Sequence, residues 1–335
     1  KITNKTLNSS GNHSNYKTGS SRMLCTKCGS RNVIIHRRYS GQYLCKECFI
    51  KAIQKKVLKD IKKYKLIKKS DKVLVALSGG KDSTTVIDIL SILAERNIIE
   101  LEVITIDEGI GDYRKKGIQY ASKTCKELGI PQHIFSFKKH FKVTIDEIMA
   151  SKPPRKACTY CGVLRRWIIN KEAEKLGADK IATGHNLDDE VQAIVMNYLE
   201  GNIENLIRIG PTTYSQKFVT KIKPLREIPE EEVTAYVMAK GLNVHLEECP
   251  YRKTSFRKKI GTILTKLSED HPTILYSTLR GHEKIRKALK KELEGESILR
   301  ACIRCGQPAA RDLCRACTLL NEIGRLEDEI HSNNR

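Results

Sequence analysis

Three cysteines and a glycine-rich loop are the parts of this sequence that could do chemistry. The chain has 335 residues and 12 cysteines, and eight of these form two complete groups of four: Cys25, Cys28, Cys45 and Cys48, then Cys302, Cys305, Cys314 and Cys317. Cys125 lies in a helical pattern and is expected to be an ordinary buried thiol. Cys158, Cys161 and Cys249 remain as a separate set. Because the chain also carries Ser78-Gly-Gly-Lys-Asp-Ser83, which could bind a nucleotide, the three thiols suggest sulfur chemistry driven by ATP.

Each group of four cysteines consists of two C-x-x-C pairs, separated by sixteen residues in the first group and by eight in the second. This spacing is typical of tetrahedral zinc sites. Disulfides are the alternative, and a reducing compartment disfavours them. A closed tetrahedral site has no open position for a substrate, so we expect two structural zinc modules.

The glycine loop lies between a buried strand and a helix. A short apolar run ends at Leu77, and helical spacing of apolar residues follows the loop. The backbone N–H groups at the start of a helix bind anions, so this loop is expected to hold phosphates. The Walker A pattern does not occur, and this argues against the γ-phosphate transfer of kinases and GTPases.

The surrounding sequence predicts an α/β fold with a doubly wound parallel sheet. Further apolar strands over 101–106, 133–137 and 180–183 alternate with helical stretches such as 113–128 and 163–176. Sites in such sheets lie at the carboxyl ends of the strands. The glycine loop and the segments 107–109 and 184–190 should therefore meet in one crevice.

The charge distribution predicts a polyanionic partner. The chain has 61 Lys and Arg against 39 Asp and Glu, a formal net charge of +22. Between residues 51 and 72 there are ten lysines and only two acids, with apolar residues at helical spacing, which predicts an amphipathic helix with a cationic face. A further basic run follows Cys249 and comprises Arg252, Lys253, Arg257, Lys258 and Lys259. With one Trp and six Phe, a folded RNA fits better than stacked single strands, and a merely solvated surface is the alternative.

We expect an intracellular, cytoplasmic protein without a membrane contact, because neither a long apolar span nor a secretory signal occurs. The predicted domains are a disordered tail (1–22), an N-terminal zinc module (23–50), a basic linker helix (51–72) and a catalytic domain (73–265). A helical linker (266–297), a C-terminal zinc module (298–325) and a short tail (326–335) complete the chain.

The ordered motifs resemble one family. The loop 78–83 together with Gly184-His-Asn-x-Asp-Asp-Glu190 resembles the PP-loop ATP pyrophosphatases, which have an adenine nucleotide alpha hydrolase-like fold and adenylate tRNA bases. The terminal cysteine modules, Cys158-x2-Cys161-Gly162 and Cys249-Pro250 occur in the order found in the TtuA/NcsA-type tRNA 2-thiouridine synthetases of the TtcA/TtuA family. The resemblance covers nearly all of residues 23–320.

This resemblance implies roles for individual residues. It assigns ATP binding to Ala76, Ser78, Gly79, Gly80, Lys81, Asp82, Ser83, Ile106, Asp107, Gly184, His185, Asp188 and Asp189. It also implies magnesium binding or catalytic positioning by Asp82 and Asp189, and a catalytic cation at Arg165. The alternatives are favourable first-turn helix charge for residues 188–190 and an exposed arginine face for Arg165.

For the three-cysteine set, spacing alone leaves open a redox disulfide, a persulfide relay or a metal site. The resemblance implies a 4Fe-4S cluster held by Cys158, Cys161 and Cys249, with one iron free to carry sulfur.

The activity implied by the resemblance is ATP-dependent conversion of a tRNA uridine, favouring the anticodon wobble position, to 2-thiouridine, with AMP and pyrophosphate as products. ATP, Mg2+, the 4Fe-4S cluster and two Zn2+ would be the cofactors. Free sulfide or a ubiquitin-like sulfur-carrier protein would donate sulfur, and a homodimer is expected. Cytidine 2-thiolation, lysidine synthesis and a non-catalytic zinc-module RNA-binding protein are the alternatives.

Overall fold

The computed structural model describes residues 23–215, 218–252, 256–292 and 300–325, so the predicted tails (1–22 and 326–335) lie outside it. The described residues form two compact units, one ending at Cys48 and the other beginning at Phe49. In the part of the chain that is described, no helix is both long and apolar enough to cross a membrane.

The first unit is built around an antiparallel hairpin. Strands β1 (Val33–Arg37) and β2 (Gln42–Cys45) pair, and helix α1 (Lys46–Lys63) begins directly after them. The basic helix expected over 51–72 thus starts earlier and ends at Lys63. Lys65 ends it because this residue has a positive φ of 50° and the Leu66 N–H turns back to the Ile61 carbonyl at 2.9 Å.

The second unit contains a six-stranded sheet. Its strands are β3 (Lys72–Ala76), β4 (Glu100–Asp107), β5 (Gln132–Ser136), β6 (Lys180–Ala182), β7 (Thr212–Ser215) and β8 (Phe218–Ile222), in the order β5-β4-β3-β6-β8-β7. Five strands are parallel and β7 is antiparallel at one edge. The order reverses between β3 and β6, and in α/β sheets a ligand crevice opens at that point.

Helices cover both faces of the sheet. Their bounds are α2 (Lys81–Glu95), α3 (Gly111–Leu128), α4 (Phe137–Phe141), α5 (Ile145–Ala150), α6 (Ala157–Lys175), α7 (Leu187–Leu199), α8 (Ile203–Arg208), α9 (Glu230–Lys240), α10 (Phe256–Asp270) and α11 (Ile274–Glu292). Leu74 and Ile104 share a core with Leu164 and Ile168 of α6. Their strand neighbours such as Val73 point to the opposite face and are also fully buried. The predicted doubly wound sheet is confirmed.

Two local features differ from the sequence prediction. Helix α6 begins at Ala157 instead of near residue 163, so Cys158 and Cys161 lie in its first two turns. The β7–β8 pair was not predicted, because the residues of β8 are mostly half-buried and lack the buried apolar pattern of the central strands.

The C-terminal module packs within the second unit. It consists of β9 (Arg300–Ala301), β10 (Pro308–Ala309) and α12 (Arg315–Glu322). Leu319 and Leu320 join the core that contains Trp167 of α6. Arg155 also donates two hydrogen bonds to the Glu322 carboxylate, at 2.7 and 2.9 Å. The module is therefore anchored by both apolar contact and an ion pair.

Candidate functional site

The glycine loop requires glycine at Gly79. This residue has a φ of +86°, and a Cβ atom there would lie 2.1 Å from the Gly117 carbonyl oxygen in α3. The loop is closed by the Ser83 hydroxyl, which lies 3.1 Å from the Ser78 hydroxyl and accepts the Ser78 N–H at 3.1 Å. Gly80 precedes α2 without a side-chain cap. The first backbone N–H groups of α2 are therefore available to bind an anion next to the end of β3.

A second segment, residues 184–190, lies against the loop. A Cβ atom on Gly184 would lie 2.8 Å from the Ser83 nitrogen, so the two backbones are in close contact. The Asn186 amide donates to Asp82 at 2.9 Å, and its carbonyl oxygen accepts the Asp189 N–H at 3.0 Å. The structure thus brings together the predicted residues of the two motifs.

The three acids at the start of α7 have different surroundings. Asp188 accepts the Glu230 N–H at 2.7 Å. Asp189 forms a reciprocal capping box with Asn186, and burial raises the pKa of Asp189. Glu190 is buried in ion pairs with Lys223 at 2.5 Å and Arg226 at 2.9 Å, and these cations lower its pKa although burial acts in the opposite direction. These acids therefore act in part as favourable charges in the first turn of α7, which was the alternative to a catalytic role.

The adenosine side of the predicted site lies at the ends of β3 and β4. Ala76 is half-buried and packs against the core, Ile106 is buried, and Asp107 accepts the Gly109 N–H at 2.9 Å. Lys81 pairs with Asp82 at 2.9 Å and with Glu230 at 2.8 Å.

The three cysteines come from two segments that meet beside α6. The Cys158 thiol lies 3.8 Å from the Tyr251 carbonyl oxygen, two residues after Cys249. Burial raises the pKa of Cys161 to about 12, and the neighbouring thiols of Cys158 and Cys249 act in the same direction. Thiols in such a place ionise when a metal binds them, since metal ligation requires the thiolate.

An ion-pair network centred on the buried Glu108 links the cysteine site to the glycine loop, and sequence reasoning missed it. Glu108, which follows β4, pairs with Arg114 at 2.8 Å and with Arg165 at 3.3 Å. Arg114 also donates to the Ser78 carbonyl at 2.8 Å. Glu108 adjoins the predicted Asp107, but nothing in sequence spacing indicates that it reaches α3 and α6.

A further link passes through His245, a residue to which sequence analysis assigned no role. Its backbone N–H donates to the Gly79 carbonyl at 2.8 Å, and its ring lies 5.0 Å from that of Tyr113. The segment that leads to Cys249 therefore contacts the glycine loop. Tyr113 in turn lies near Cys249, whose charge adds to burial in raising the pKa of Tyr113.

Two further cations, one on α6 and one on β8, lie close together. Arg166 and Lys221 have no carboxylate within ion-pair distance among the described residues, and Lys221 lies near Arg166. Burial lowers the pKa of Lys221 to about 8, and the charge of Arg166 acts in the same direction. Desolvation in the crevice, with Lys223 nearby, lowers the pKa of His185 to about 4, so its ring is neutral at pH 7.

Comparisons with known proteins agree with this arrangement. A family model for the PP-loop domain matches residues 50–266, and a model for the 2-thiouridine synthetase TtuA N-terminal LIM domain matches residues 24–50. The tRNA 2-thiolation protein NcsA of Haloferax volcanii is 36% identical in an alignment of 319 positions that covers 90% of this chain and 99% of that protein. The chain belongs to the PP-loop tRNA 2-thiolation family.

Other members are similarly close. A tRNA-5-methyluridine(54) 2-sulfurtransferase of Pyrococcus horikoshii is 39% identical, with 88% of this chain and 93% of that protein covered. Among solved structures, the U34-tRNA thiolase NcsA from Methanococcus maripaludis with its [4Fe-4S] cluster matches with a TM-score of 0.77 and 38% identity. That match covers 89% of this chain and 96% of the other.

Both four-cysteine groups of this family member fit zinc. In each group the four sulfur atoms all lie within 4.8 Å of one another. The Sγ atoms of Cys28 and Cys45, and those of Cys305 and Cys314, are 3.6 Å apart. Four sulfurs at about 2.3 Å from a tetrahedral zinc ion stand about 3.8 Å apart, close to this separation. In both modules the glycine after the second cysteine has a φ of +71° and donates its N–H to the first cysteine's carbonyl.

The three-cysteine set is less tightly gathered than either four-cysteine group. Within the described residues, Cys158, Cys161 and Cys249 do not form a third set of ligand atoms lying within 4.8 Å of one another. A cluster of several irons is wider than one zinc ion, so its thiolate ligands stand further apart. Arg165 also lowers the cost of thiolate charge at Cys161 and Cys249. The donor set and its surroundings suit an iron–sulfur cluster.

Proposed function

We propose that this protein is a tRNA sulfurtransferase that uses ATP to convert a uridine of tRNA to 2-thiouridine. The observation that carries the proposal is the meeting of Cys158, Cys161 and Cys249 with the glycine loop, through Glu108 and through the segment around His245. The names of the relatives in the family support the same activity.

In the first step, O2 of the uridine attacks the α-phosphate of ATP and pyrophosphate leaves. The loop from Ser78 to Ser83 and the start of α2 bind the phosphates, because their N–H groups face that position. Asp82 and Asp189 would hold Mg2+, which offsets phosphate charge. Asn186 contacts both carboxylates, because its side-chain amide donates to Asp82 at 2.9 Å and its backbone N–H donates to Asp189 at 3.3 Å.

In the second step, sulfur attacks C2 of the uridine and AMP leaves. A 4Fe-4S cluster on the three cysteines would leave one iron without a protein ligand, and that iron can carry the sulfur atom. Arg165 lies beside Cys161 and Cys249, where its guanidinium can stabilise the negative charge that develops on the phosphate of the leaving AMP. His185 lines the crevice as a neutral ring and is available as a hydrogen-bonding group.

The tRNA backbone would lie along the cationic crevice. Arg166 and Lys221 offer charge without a carboxylate partner in the described residues, as a phosphate site requires. The lysines of α1 extend the basic surface of the chain. The two closed cysteine modules, each with one Zn2+, would act in folding and not in catalysis.

We propose the anticodon wobble uridine as the target, as in the U34-tRNA thiolase that matches in structure. The Pyrococcus horikoshii relative is named for position 54 and is about as similar, so identity does not separate the two targets. Two tRNA transcripts, one with cytidine in place of uridine at position 34 and one with the same change at position 54, would distinguish the two targets. We expect the position-34 change to abolish 2-thiouridine formation and the position-54 change to leave it intact.

The physiological sulfur donor belongs to the same proposal, with free sulfide and a ubiquitin-like carrier bearing a C-terminal thiocarboxylate as the two sources. Anaerobic assays with each donor would distinguish them. We also propose that the protein acts in the cytoplasm, because a relative from Saccharomyces cerevisiae is named cytoplasmic tRNA 2-thiolation protein 1. We propose a homodimer as its oligomeric state, which light scattering would test.

The deciding experiment is an anaerobic assay that measures AMP, pyrophosphate and 2-thiouridine together with iron and zinc content. We expect four irons and two zincs per chain and equal yields of the three products. The Cys158→Ala variant should lose iron and thiolation, whereas Cys125→Ala, which changes a buried thiol in α3, should retain both. The Asp82→Ala variant should bind tRNA but make no AMP.

Each alternative gives a different result. Formation of ADP and orthophosphate would contradict adenylation. Full modification by the Cys158→Ala variant would favour lysidine synthesis, and a thiolated cytidine product would favour cytidine thiolation. Binding of tRNA without any ATP turnover would favour a non-catalytic RNA-binding protein.

A further inference from the structure

Glu108 occupies a junction between three elements. It follows β4, its side chain is buried with 4% exposure, and its carboxylate meets Arg114 of α3 and Arg165 of α6. Its backbone carbonyl accepts the N–H of Ile145 at the start of α5, so the residue is also fixed by its main chain. One buried carboxylate is thus shared by two guanidinium groups.

The two arginines are held differently. Arg114 is 6% exposed and donates to two backbone carbonyls, that of Ser78 at 2.8 Å and that of Ile106 at 2.6 Å. Arg165 has 46% side-chain exposure, and Glu108 is its only hydrogen-bond or ion-pair partner in the described ranges. Removal of the Glu108 charge would leave Arg114 in place, since backbone carbonyls hold it, but would release Arg165.

The position of Arg165 matters because of what lies on its other side. Arg165 follows Cys161 by four residues on α6, so the two side chains lie on the same face of the helix, and the charge of Arg165 also acts on Cys249. On the Glu108 side, Arg114 holds the Ser78 carbonyl at the entrance of the glycine loop. The network therefore spans the distance from the phosphate-binding loop to the sulfur site through a single carboxylate.

We propose that Glu108 is a positioning residue for sulfur transfer, which holds the Arg165 guanidinium beside Cys161 and Cys249 and keeps it in register with the glycine loop through Arg114. This inference rests on the proposed tRNA thiolation. Glu108 does not contact the reacting atoms and acts through Arg165.

The test is the isosteric Glu108→Gln variant, with Glu172→Gln as a matched control. Glu172 is a buried carboxylate of α6 that accepts hydrogen bonds from His140 and Lys175, away from the sulfur site. We expect Glu108→Gln to lower kcat for 2-thiouridine formation by about 10- to 100-fold, the range for residues that orient catalytic groups. The KM for ATP and the iron content should stay within about twofold, because Arg114 still holds the loop.

The Arg165→Gln background separates a positioning role from a general structural one. If Glu108 acts through Arg165, adding Glu108→Gln to Arg165→Gln should reduce kcat by no more than about twofold further. An equal loss in both backgrounds, an equal loss in Glu172→Gln, or a rise in the KM for ATP that matches the loss of kcat would overturn the inference. Urea unfolding of each variant shows whether it is folded.

Failure of the inference and failure of the proposed function give different results. An active wild type together with a fully active Glu108→Gln variant rejects only the role of Glu108. A wild type that makes no 2-thiouridine under anaerobic conditions rejects the proposed function and, with it, this role.

Discussion

The two neighbouring glycines of the phosphate loop should respond very differently to alanine. Gly79 has a φ of +86°, and an L-residue in left-handed geometry costs about 1–2 kcal/mol. Its added Cβ would lie 2.1 Å from the Gly117 carbonyl oxygen, which belongs to the hydrogen-bonded backbone of α3 and cannot move cheaply. Overpacking of this kind typically costs about 1–3 kcal/mol. The Gly79→Ala substitution should therefore reduce the free energy of unfolding by roughly 2–5 kcal/mol.

Gly80→Ala is the matched control. Gly80 has a φ of −83° and a ψ of 165°, which any residue adopts, and the nearest atom to an added Cβ is the Ser78 hydroxyl oxygen at 3.4 Å. Replacing glycine by alanine at the helix N-cap destabilises the helix, whereas the lower conformational entropy of the unfolded chain stabilises the protein. These effects nearly cancel, so we expect the free energy of unfolding to change by less than about 1 kcal/mol.

Urea unfolding followed by circular dichroism measures both free energies, and ATP titration reports the loop. We expect Gly79→Ala to weaken ATP binding at least about tenfold. The clash with α3 would displace the loop, and its N–H groups would no longer point at the bound phosphates. Two variants of equal stability would refute the reasoning, since it depends on the contact of Gly79 with α3.

Three further substitutions test other parts of the structure. Burial raises the pKa of Asp60 to about 6, so the charged carboxylate destabilises the folded protein above that pH. Asp60→Asn should therefore stabilise the protein by about 1–3 kcal/mol at pH 8 and have little effect at pH 4. Urea unfolding at both pH values measures this difference. Equal effects at both pH values would contradict this. Cys317→Ser should reduce the zinc content by one ion per chain and lower Tm by at least about 5 °C, because the C-terminal module shares the main core. Retention of both zincs would disprove the assigned ligand set. Lys221→Gln should weaken tRNA binding and reduce the slope of log K against log salt by about 1, as expected for one lost phosphate contact. An unchanged slope would show that Lys221 does not contact a phosphate.

Much of the fold was predictable because local patterns specify it. Central strands such as β3 and β4 are rich in buried apolar residues, and the doubly wound sheet follows from their alternation with helices. The prediction failed where burial is partial: β8 has only one buried residue, Ile222, and so carries no clear strand pattern. Helix α6 begins six residues before the expected position, and its first turn already buries Ala157 and Tyr160.

The candidate site was predictable wherever its residues adjoin a recognisable motif. The glycine loop and the segment 184–190 were both identified, and the structure brings them into contact through Gly184. Arg114 was not found, because an arginine near the start of an amphipathic helix gives no sign in the sequence that it is buried. His245 was assigned no role for a similar reason: its link to the loop is a backbone hydrogen bond, which any residue could make.

The sequence by itself determined which chemical groups the protein has. The cysteine spacing predicted two groups of four thiols that fit a metal and a third set of three, and the order of strand, glycine loop and helix predicted an anion site, because these are relations between residues close together in the chain. Only the tertiary structure decided how those groups combine. Glu108, Arg114 and Arg165 belong to three separate elements, and their ion pairs form because the sheet brings the ends of those elements to one buried position where a single carboxylate must satisfy two cations.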